Sequence, residues 1–294
     1  MKIYIRLFVI TLGLGFGLNA YSDDLPVALK KSDNVVQFKN IQEKKQFDNT
    51  FTISFYEPTY ILPISYSSAL KQVDIKNNPE QNKLKHLEFN FKISFKVPVI
   101  ESVFHKDNAL YLAYTQLSYW QAYNNSSFFR ENNYKPEVFF SNNINLLLGK
   151  DWRLQLLNVG FVHESNGYSD PIKRSWNRVY LEGVLSKQNW MISVRPWYAI
   201  SDRTSRLYHN DITRYLGNGR LVIAYNYHDQ VFSAETYNIE NGLDLTAIKL
   251  SWSFPIVKKI KGYAQFFHGY GQSLTDYNVR TNSVGVGIAL SDWL

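Results

Sequence analysis

Short stretches of alternating polarity follow one another along most of the chain, and this alternation restricts the possible folds more than any other feature. In the last stretch Val284, Val286 and Ile288 share one parity, whereas the small residues Gly285 and Gly287 share the other. Alternation with a period of two residues is typical of β-strands with one apolar face. A membrane-spanning helix requires about 20 consecutive apolar residues, and no such run follows residue 22. The chain is therefore predicted to be all-β.

The alternation and the turn signals predict twelve strands in a single domain. The strands are expected near residues 52–66, 86–99, 108–122, 134–148, 152–166, 175–186, 189–200, 219–228, 230–240, 245–256, 260–272 and 282–293. The segment from Asp23 to Asn49 is polar and rich in lysine, and we expect it to form an irregular N-terminal lead. No repeat or linker divides residues 23–294.

The first 22 residues resemble a secretory signal peptide. Lys2 and Arg6 accompany an apolar run from Leu7 to Leu18, and Ala20-Tyr21-Ser22 offers small residues for cleavage before Asp23. The alternative is a single membrane-spanning helix, but the run is short for that purpose. We therefore expect residues 1–22 to be a signal peptide and the chain to be exported.

Alternation does not distinguish a membrane barrel from a soluble β-sandwich, because the strands of both have one apolar face. The export signal, the even strand number and the 7 Trp, 21 Tyr and 19 Phe residues favour the barrel. The last predicted strand also runs into Trp293-Leu294; such barrels commonly end in an aromatic residue, and here the aromatic residue is next to last. An exported chain without cysteine needs a large core or a closed hydrogen-bonded architecture. We predict a twelve-stranded antiparallel transmembrane β-barrel in the outer membrane of a Gram-negative cell.

Three polar side chains are predicted to lie on the lipid-facing surface of this barrel. His163 and Ser165 continue the parity of Phe161 on the fifth strand, and Asn177 shares the parity of Val179 on the sixth. Polar groups are costly on a lipid face, so a cluster of three suggests a function. An even number of strands places both termini in the periplasm and the loop 167–174 at the outer surface.

The chemistry of these residue types suits acyl transfer. If the turn is centred on Asp170-Pro171, His163 lies opposite Asn177, with their Cβ atoms roughly 5 Å apart. Ser165 would then attack an ester carbonyl while His163 takes its proton and Asn177 orients the imidazole. The N–H of Gly167 is the expected oxyanion-hole donor, since glycine allows close approach of a substrate. The alternative is a set of hydrated side chains at the barrel rim, without catalysis.

Several sequence blocks resemble bacterial outer-membrane phospholipase A. They are His163-Glu164-Ser165-Asn166-Gly167 with Ser169-Asp170-Pro171 and Arg174-Ser175-Trp176-Asn177-Arg178, then Tyr114 to Gln121 with Phe129-Arg130-Glu131 and Asn133-Tyr134, then Arg195 to Tyr198 and Tyr270 to Leu274. The resemblance implies a Ser-His-Asn triad of Ser165, His163 and Asn177. It also implies calcium-dependent hydrolysis of the sn-1 and sn-2 acyl esters of phospholipids and lysophospholipids, with activation by homodimerisation.

The same resemblance implies a calcium ion beside the oxyanion site. Tyr168 would offer its carbonyl oxygen, Ser126 of the partner protomer would offer another oxygen, and Asp170 matches an acidic position associated with a weaker calcium site. Lys173 departs from the family, because it stands where a calcium-binding serine hydroxyl is expected. An ammonium group cannot ligate calcium. We therefore expect a calcium requirement that is weakened but present.

Gln116 is the predicted dimer contact. It shares its parity with Leu110, Leu112 and Tyr114, so it is expected to face lipid. It is either a polar residue near the bilayer edge or a contact in which two glutamines satisfy each other across a two-fold axis. The resemblance favours the dimer.

The leading functional prediction is an enzyme that receives membrane phospholipids laterally at the outer leaflet. A passive pore is the main alternative, and a surface adhesin is another. A set of polar and aromatic residues has inward parity and predicts a filled interior, namely Glu164, Arg178, Tyr180, Glu182 and Tyr111. The extracellular loops are short for an adhesin. The net charge of +7 is not concentrated in a basic run, so nucleic acid is not an expected partner.

Overall fold

The computed structural model describes residues 34–47, 53–70, 84–104, 107–169, 172–201, 211–257 and 260–294. The strands are β1 (Ser54–Phe55), β2 (Thr59–Ser67), β3 (Leu87–Glu101), β4 (Asn108–Trp120), β5 (Phe129–Leu148), β6 (Trp152–Ser165), β7 (Ser175–Lys187), β8 (Trp190–Ile200), β9 (Gly219–Tyr227), β10 (Gln230–Tyr237), β11 (Ala247–Val257), β12 (Ile260–Gly269) and β13 (Thr281–Ser291). The α-helices are α1 (Val35–Phe47) and α2 (Ile212–Leu216), and a short 3₁₀ helix spans Ile239–Asn241. Within the described ranges, no helix has the length and apolar composition needed to cross a membrane. The predicted signal peptide and Asp170 lie outside the described residues.

The strands form a closed antiparallel barrel in chain order. Each strand from β2 to β13 pairs with the next, and β13 pairs with β2 to close the ring. The short β1 pairs with β3 on the same side as β2, so β1 and β2 form one barrel strand interrupted at residues 56–58. The barrel therefore has twelve strands, as the alternation predicts. The strand bounds follow the predicted ones closely, although β5 begins at Phe129 rather than near residue 134.

Side chains alternate between the outer surface and the lumen. On β13 Val284, Val286 and Leu290 are 50–52% exposed, whereas Ser283 and Ala289 are buried. Outward apolar side chains on a closed barrel form the surface that faces lipid. The predicted assignment of the two faces is confirmed by this pattern.

Buried ion pairs fill much of the lumen. Glu57 lies in the interruption between β1 and β2, which lets its side chain enter the barrel. Its carboxylate accepts hydrogen bonds from Lys92 at 2.6 Å, Lys135 at 2.9 Å and Arg220 at 2.9 Å. A cavity of about 160 Å³ lies among the charged and aromatic side chains of this region. The prediction of a filled interior is confirmed.

The N-terminal lead is not irregular throughout, and this prediction is corrected by α1. Asn34 caps the helix by accepting a hydrogen bond from the Gln37 N–H at 3.0 Å. Val35 and Val36 are buried in an apolar cluster with Trp293, at the end of the barrel that holds the last residues of the chain. Tertiary packing thus stabilises a helix that the polar sequence does not indicate.

The last strand is shorter than predicted. It ends at Ser291, and Trp293 turns into the lumen, where the Arg220 guanidinium lies 5.4 Å from its ring centroid. The Trp293 carbonyl accepts a hydrogen bond from Lys39 of α1 at 3.0 Å. Residues 292–294 therefore pack with α1 at one end of the lumen instead of extending the sheet.

Candidate active site

The β6–β7 hairpin aligns the predicted site residues at the end of the barrel opposite α1. His163 pairs with Asn177, which is the register expected for a turn centred on residues 170–171, and Ser165 pairs with Ser175. The hydrogen bond from Asn166 N–H to the Arg174 carbonyl, at 3.0 Å, continues the pairing beyond the strands. Register alone therefore brings the imidazole and the amide together.

The site lies on the outer surface of the barrel. Val159 is 55% exposed and Val179 is 42% exposed, and both share the parity of the site residues on their own strands. The side chains with the opposite parity, such as Val162 and Arg178, are buried in the lumen. Polar groups at the site therefore border the lipid-facing surface, as predicted.

His163 and Asn177 are joined by a hydrogen bond. His163 Nδ1 lies 2.8 Å from Asn177 Oδ1. An amide oxygen only accepts, so Nδ1 carries the proton and Nε2 of the neutral ring is an acceptor. A general base for a serine hydroxyl needs this tautomer.

Ser165 interacts with Gly167 in this structure. Gly167 has a φ of 69°, and its N–H donates to Ser165 Oγ at 3.1 Å. Within the part of the chain that the structure describes, no hydrogen bond joins Ser165 to His163. Catalytic hydrogen bonds are often long or poorly aligned without substrate and tighten when it binds. The structure thus brings together the predicted pairs His163–Asn177 and Ser165–Gly167, with both pairs on one hairpin.

A tyrosine explains why position 167 is glycine. Tyr134 of β5 pairs with Ser165, and a Cβ atom at Gly167 would lie 2.8 Å from Tyr134 Cε2. The positive φ also disfavours any residue with a Cβ. The close approach of backbone and ring therefore requires glycine.

A second histidine–asparagine pair shows what else the site needs. His268 Nδ1 lies 2.6 Å from Asn282 Oδ1 across the β12–β13 hairpin. Position 270, two residues along, is tyrosine instead of serine, and Arg280 Nη2 lies 3.2 Å from His268 Nε2. In this pair Nε2 of His268 is already in contact with Arg280, and no serine follows two residues along the strand, whereas the His163 pair has a serine on its own face.

Asn166 is a site residue to which sequence reasoning assigned no role. Its side chain has the opposite parity to Ser165 and is only 3% exposed. The available signal was this parity, since a polar side chain directed into the barrel must find hydrogen-bond partners. Those partners belong to the loop that follows Ser165.

Of the residues predicted for calcium, the structure describes Tyr168 and Ser126. Tyr168 is anchored by its hydroxyl, which donates to the Arg130 carbonyl at 2.6 Å, and burial raises the pKa of this phenol to about 12. Ser126 is exposed in the turn between β4 and β5, and Lys173 is half-buried. In the described ranges no group of three or more His, Cys, Asp or Glu could hold a metal ion. The described residues of this region offer calcium backbone and hydroxyl oxygens.

Gln116 lies on the outer surface of β4, on the same face as Leu112, which is 53% exposed. Its Oε1 accepts from the Tyr114 hydroxyl at 3.0 Å, and its Nε2 donates to Ser118 Oγ at 3.0 Å. An amide group has two acceptor and two donor positions. One acceptor position and one donor position of the Gln116 amide therefore remain for a contact with a group other than Tyr114 and Ser118.

Taken together, the barrel and its site define a class of protein. This class consists of membrane-embedded hydrolases with an outward-facing serine and histidine and a closed lumen. The phospholipase A1 family model matches residues 36–290, and the chain belongs to this family. It is 36% identical to phospholipase A1 of Proteus vulgaris and of Escherichia coli K12 over 251 residues, which cover 84% of this chain and 84% of each relative.

Solved structures give the same result. The outer membrane phospholipase A of Escherichia coli matches with a TM-score of 0.78 at 35% identity, over 84% of this chain and 95% of that one. The same enzyme has been solved as an active-site mutant in which an asparagine is replaced by alanine. The Salmonella typhi outer membrane phospholipase, a dimer with bound calcium, matches with a TM-score of 0.79 at 34% identity. The match covers 86% of this chain and 97% of the Salmonella chain. The protein is a phospholipase of the outer membrane, as its motifs predict.

Proposed function

We propose that the chain hydrolyses the sn-1 and sn-2 acyl esters of phospholipids and lysophospholipids through Ser165, His163 and Asn177. The observation that carries this proposal is the 2.8 Å contact between His163 and Asn177 on the lipid-facing surface, with Ser165 on the same face. An asparagine is also the residue replaced in the active-site mutant of the Escherichia coli relative. A lipid in the outer leaflet reaches this face directly from the bilayer.

The proposed reaction has two stages. Ser165 Oγ attacks the ester carbonyl while His163 Nε2 takes the hydroxyl proton, and the imidazolium then protonates the departing glycerol oxygen. The products of this stage are a lysophospholipid and an acyl-serine. Water attacks the acyl group with His163 as base, and the fatty acid leaves as Ser165 regains its proton. Asn177 holds the imidazole without placing an unpaired charge at the edge of the lipid.

Gly167 supplies the proposed oxyanion donor. Its N–H already points at Ser165 Oγ, 3.1 Å away, so it is directed at the place where the new bond forms. Once Ser165 is bonded to the substrate, this N–H lies beside the developing negative charge. A donor held in position before the reaction stabilises that charge without reorganisation.

Calcium is the proposed cofactor. Backbone and hydroxyl oxygens fit calcium, so we assign the Tyr168 carbonyl and Ser126 of the partner protomer, with Asp170 at a weaker site. When bound, calcium supplies positive charge near the oxyanion. Lys173 does not fit this donor set, and its ammonium opposes a second cation nearby. Calcium affinity is therefore expected to be lower than in the Salmonella typhi relative, which binds the ion.

The active form is proposed to be a homodimer with Gln116 at its interface. One donor and one acceptor of the Gln116 amide remain after the Tyr114 and Ser118 contacts, so two copies can pair across a two-fold axis. Cross-linking in detergent should show a dimer in the wild type and less of it in Gln116→Leu, with Gln230→Leu as a control. Equal dimer yields in all three proteins would contradict the role of Gln116.

The test of the proposed triad is fatty-acid release from phospholipid in mixed micelles. Ser165→Ala and His163→Ala should lose roughly 10³-fold or more in kcat, and Asn177→Ala less, because it removes orientation and not chemistry. His268→Ala is the matched control, since it disrupts the other surface histidine–asparagine pair, and it should retain wild-type activity. Hydrolysis at the wild-type rate by Ser165→Ala would exclude the proposal.

A further inference from the structure

Asn166 has a fully used side-chain amide. It directly follows Ser165 but points away from the lipid, into the outer end of the barrel. Its Oδ1 accepts from the N–H groups of Arg174 at 2.9 Å and Tyr168 at 3.3 Å, and its Nδ2 donates to the Ile172 carbonyl at 2.9 Å and to Thr275 Oγ1 at 3.2 Å. Two acceptor and two donor positions are all that an amide has.

Three of these partners are backbone groups of one loop. Tyr168 lies at its start, whereas Ile172 and Arg174 lie at its end, so a single side chain holds both ends. Gly167 is located between Asn166 and Tyr168 and has no side chain of its own to restrict its backbone. The direction of its N–H therefore depends on how firmly its two neighbours are held.

The fourth partner connects this loop to a second one. The Thr275 N–H donates to the buried carboxylate of Glu131 at 2.7 Å, and the neighbouring Asp276 accepts from Arg130 at 2.6 Å. Arg130 also forms an ion pair with Glu88 at 2.7 Å. Thr275 and Asp276 are thus fixed to the barrel wall by buried polar groups, which makes Thr275 a rigid support for Asn166.

Tyr168 reaches the same wall by another route. Its hydroxyl donates to the Arg130 carbonyl, so the residue after Gly167 is held by its N–H on one side and by its phenol on the other. Resting on the proposed oxyanion role of Gly167, we infer that Asn166 is a positioning residue that holds the Gly167 N–H against Ser165, with Thr275 as its support.

The experiment compares kcat and KM for purified full-length variants in mixed micelles. Asn166→Ala should lower kcat roughly 10- to 100-fold with little change in KM, because small displacements at an oxyanion donor are costly. Thr275→Val should also lower kcat, but by a smaller factor than Asn166→Ala. Thr275→Ser keeps the hydroxyl and should have a kcat close to that of the wild type. Asn158→Ala is the matched control, since Asn158 is a buried asparagine of β6 that donates to Glu182 in the lumen.

Barrel folding is checked by heat-modifiable migration on gels, and the nucleophile by labelling with a fluorophosphonate. A folded Asn166→Ala with wild-type kcat would overturn the inference, and so would an equal loss of kcat in Asn158→Ala. If Asn166→Ala does not fold, the comparison of Thr275→Val with Thr275→Ser tests the inference instead. Equal kcat values in these two variants would overturn the inference. Failure of the triad is seen separately, as labelling or hydrolysis that persists in Ser165→Ala.

Discussion

Two histidines on the barrel surface each form a hydrogen bond with an asparagine, but their other neighbours differ. His163 and His268 each contact an asparagine across a hairpin, at 2.8 Å and 2.6 Å. His268 Nε2 faces the Arg280 guanidinium, whereas His163 has Ser165 two residues along its own face. The chemistry of the site therefore depends on the residue beside the pair and on the loop behind it.

Gly167→Ala should lower kcat roughly 10²- to 10³-fold, the loss typical when one oxyanion donor is removed. The new Cβ would meet Tyr134 at 2.8 Å and would be strained at a φ of 69°, which turns the N–H away from Ser165. Gly149→Ala is the control, because Gly149 has a φ of 65° but nothing within 4 Å. A kcat for Gly167→Ala equal to that of Gly149→Ala would argue against the oxyanion role.

Removal of calcium with EGTA should reduce hydrolysis, and added calcium should restore it. Lys173→Ser should shift the calcium activation curve to lower concentrations, because a hydroxyl oxygen ligates calcium and an ammonium does not. Lys187→Ser, at the opposite end of the barrel, controls for the loss of one positive charge. Activity that EGTA leaves unchanged would contradict the calcium proposal.

The two faces of the β6–β7 hairpin have different roles. Its outer face presents His163 and Asn177 to the lipid, and its inner face packs against the lumen. There Gly160 pairs with Tyr180, and the Tyr180 hydroxyl donates to Glu137. The hairpin can hold the site rigidly because its inner face is packed and hydrogen-bonded.

Gly160→Val should destabilise this hairpin by about 1–3 kcal/mol, the usual cost of overpacking. A Cβ at Gly160 would lie 2.5 Å from the Tyr180 ring, so the ring must move away from Glu137. At Gly183, on the adjacent strand, the nearest atom to a new Cβ is Leu154 Cδ1 at 3.6 Å, so Gly183→Ala should be tolerated. Unfolding in guanidinium from detergent micelles measures both, and equal free energies of unfolding would refute the packing argument.

The closed barrel brings together charges from distant parts of the chain. Glu57 contacts Lys92, Lys135 and Arg220, and the partners are 35, 78 and 163 residues away in sequence. The ion pairs occupy the lumen, while α1 and Trp293 pack at one end of it. A lumen filled in this way suits a scaffold for a surface enzyme better than the passive pore considered from the sequence.

Glu57→Gln should lower the free energy of unfolding by roughly 3–5 kcal/mol, because it leaves buried cations without their counter-charge. Asp151→Asn is the control, since Asp151 pairs with Lys187 at 2.9 Å but its side chain is 60% exposed. Its effect should stay within about 1 kcal/mol. Similar losses of stability in the two variants would show that the buried network is not worth more than a surface pair.

Local patterns in the sequence were sufficient to predict the strands, their two faces and the alignment of His163 with Asn177. The side chains of a strand alternate with a period of two residues, and the register of a hairpin follows from its turn. Both features therefore depend only on residues that are close in sequence. The motifs around Ser165 also identified the family.

Only the tertiary structure decided which side chains meet after the barrel closes. Asn166 binds Thr275 across 109 residues of sequence, and α1 is held by contacts with the far end of the chain. Neither contact leaves a periodic signal, because each depends on closure of the sheet and not on local spacing. The sequence therefore determined the barrel and the face that carries Ser165, whereas long-range packing decided what fills the lumen and what supports the loop behind that serine.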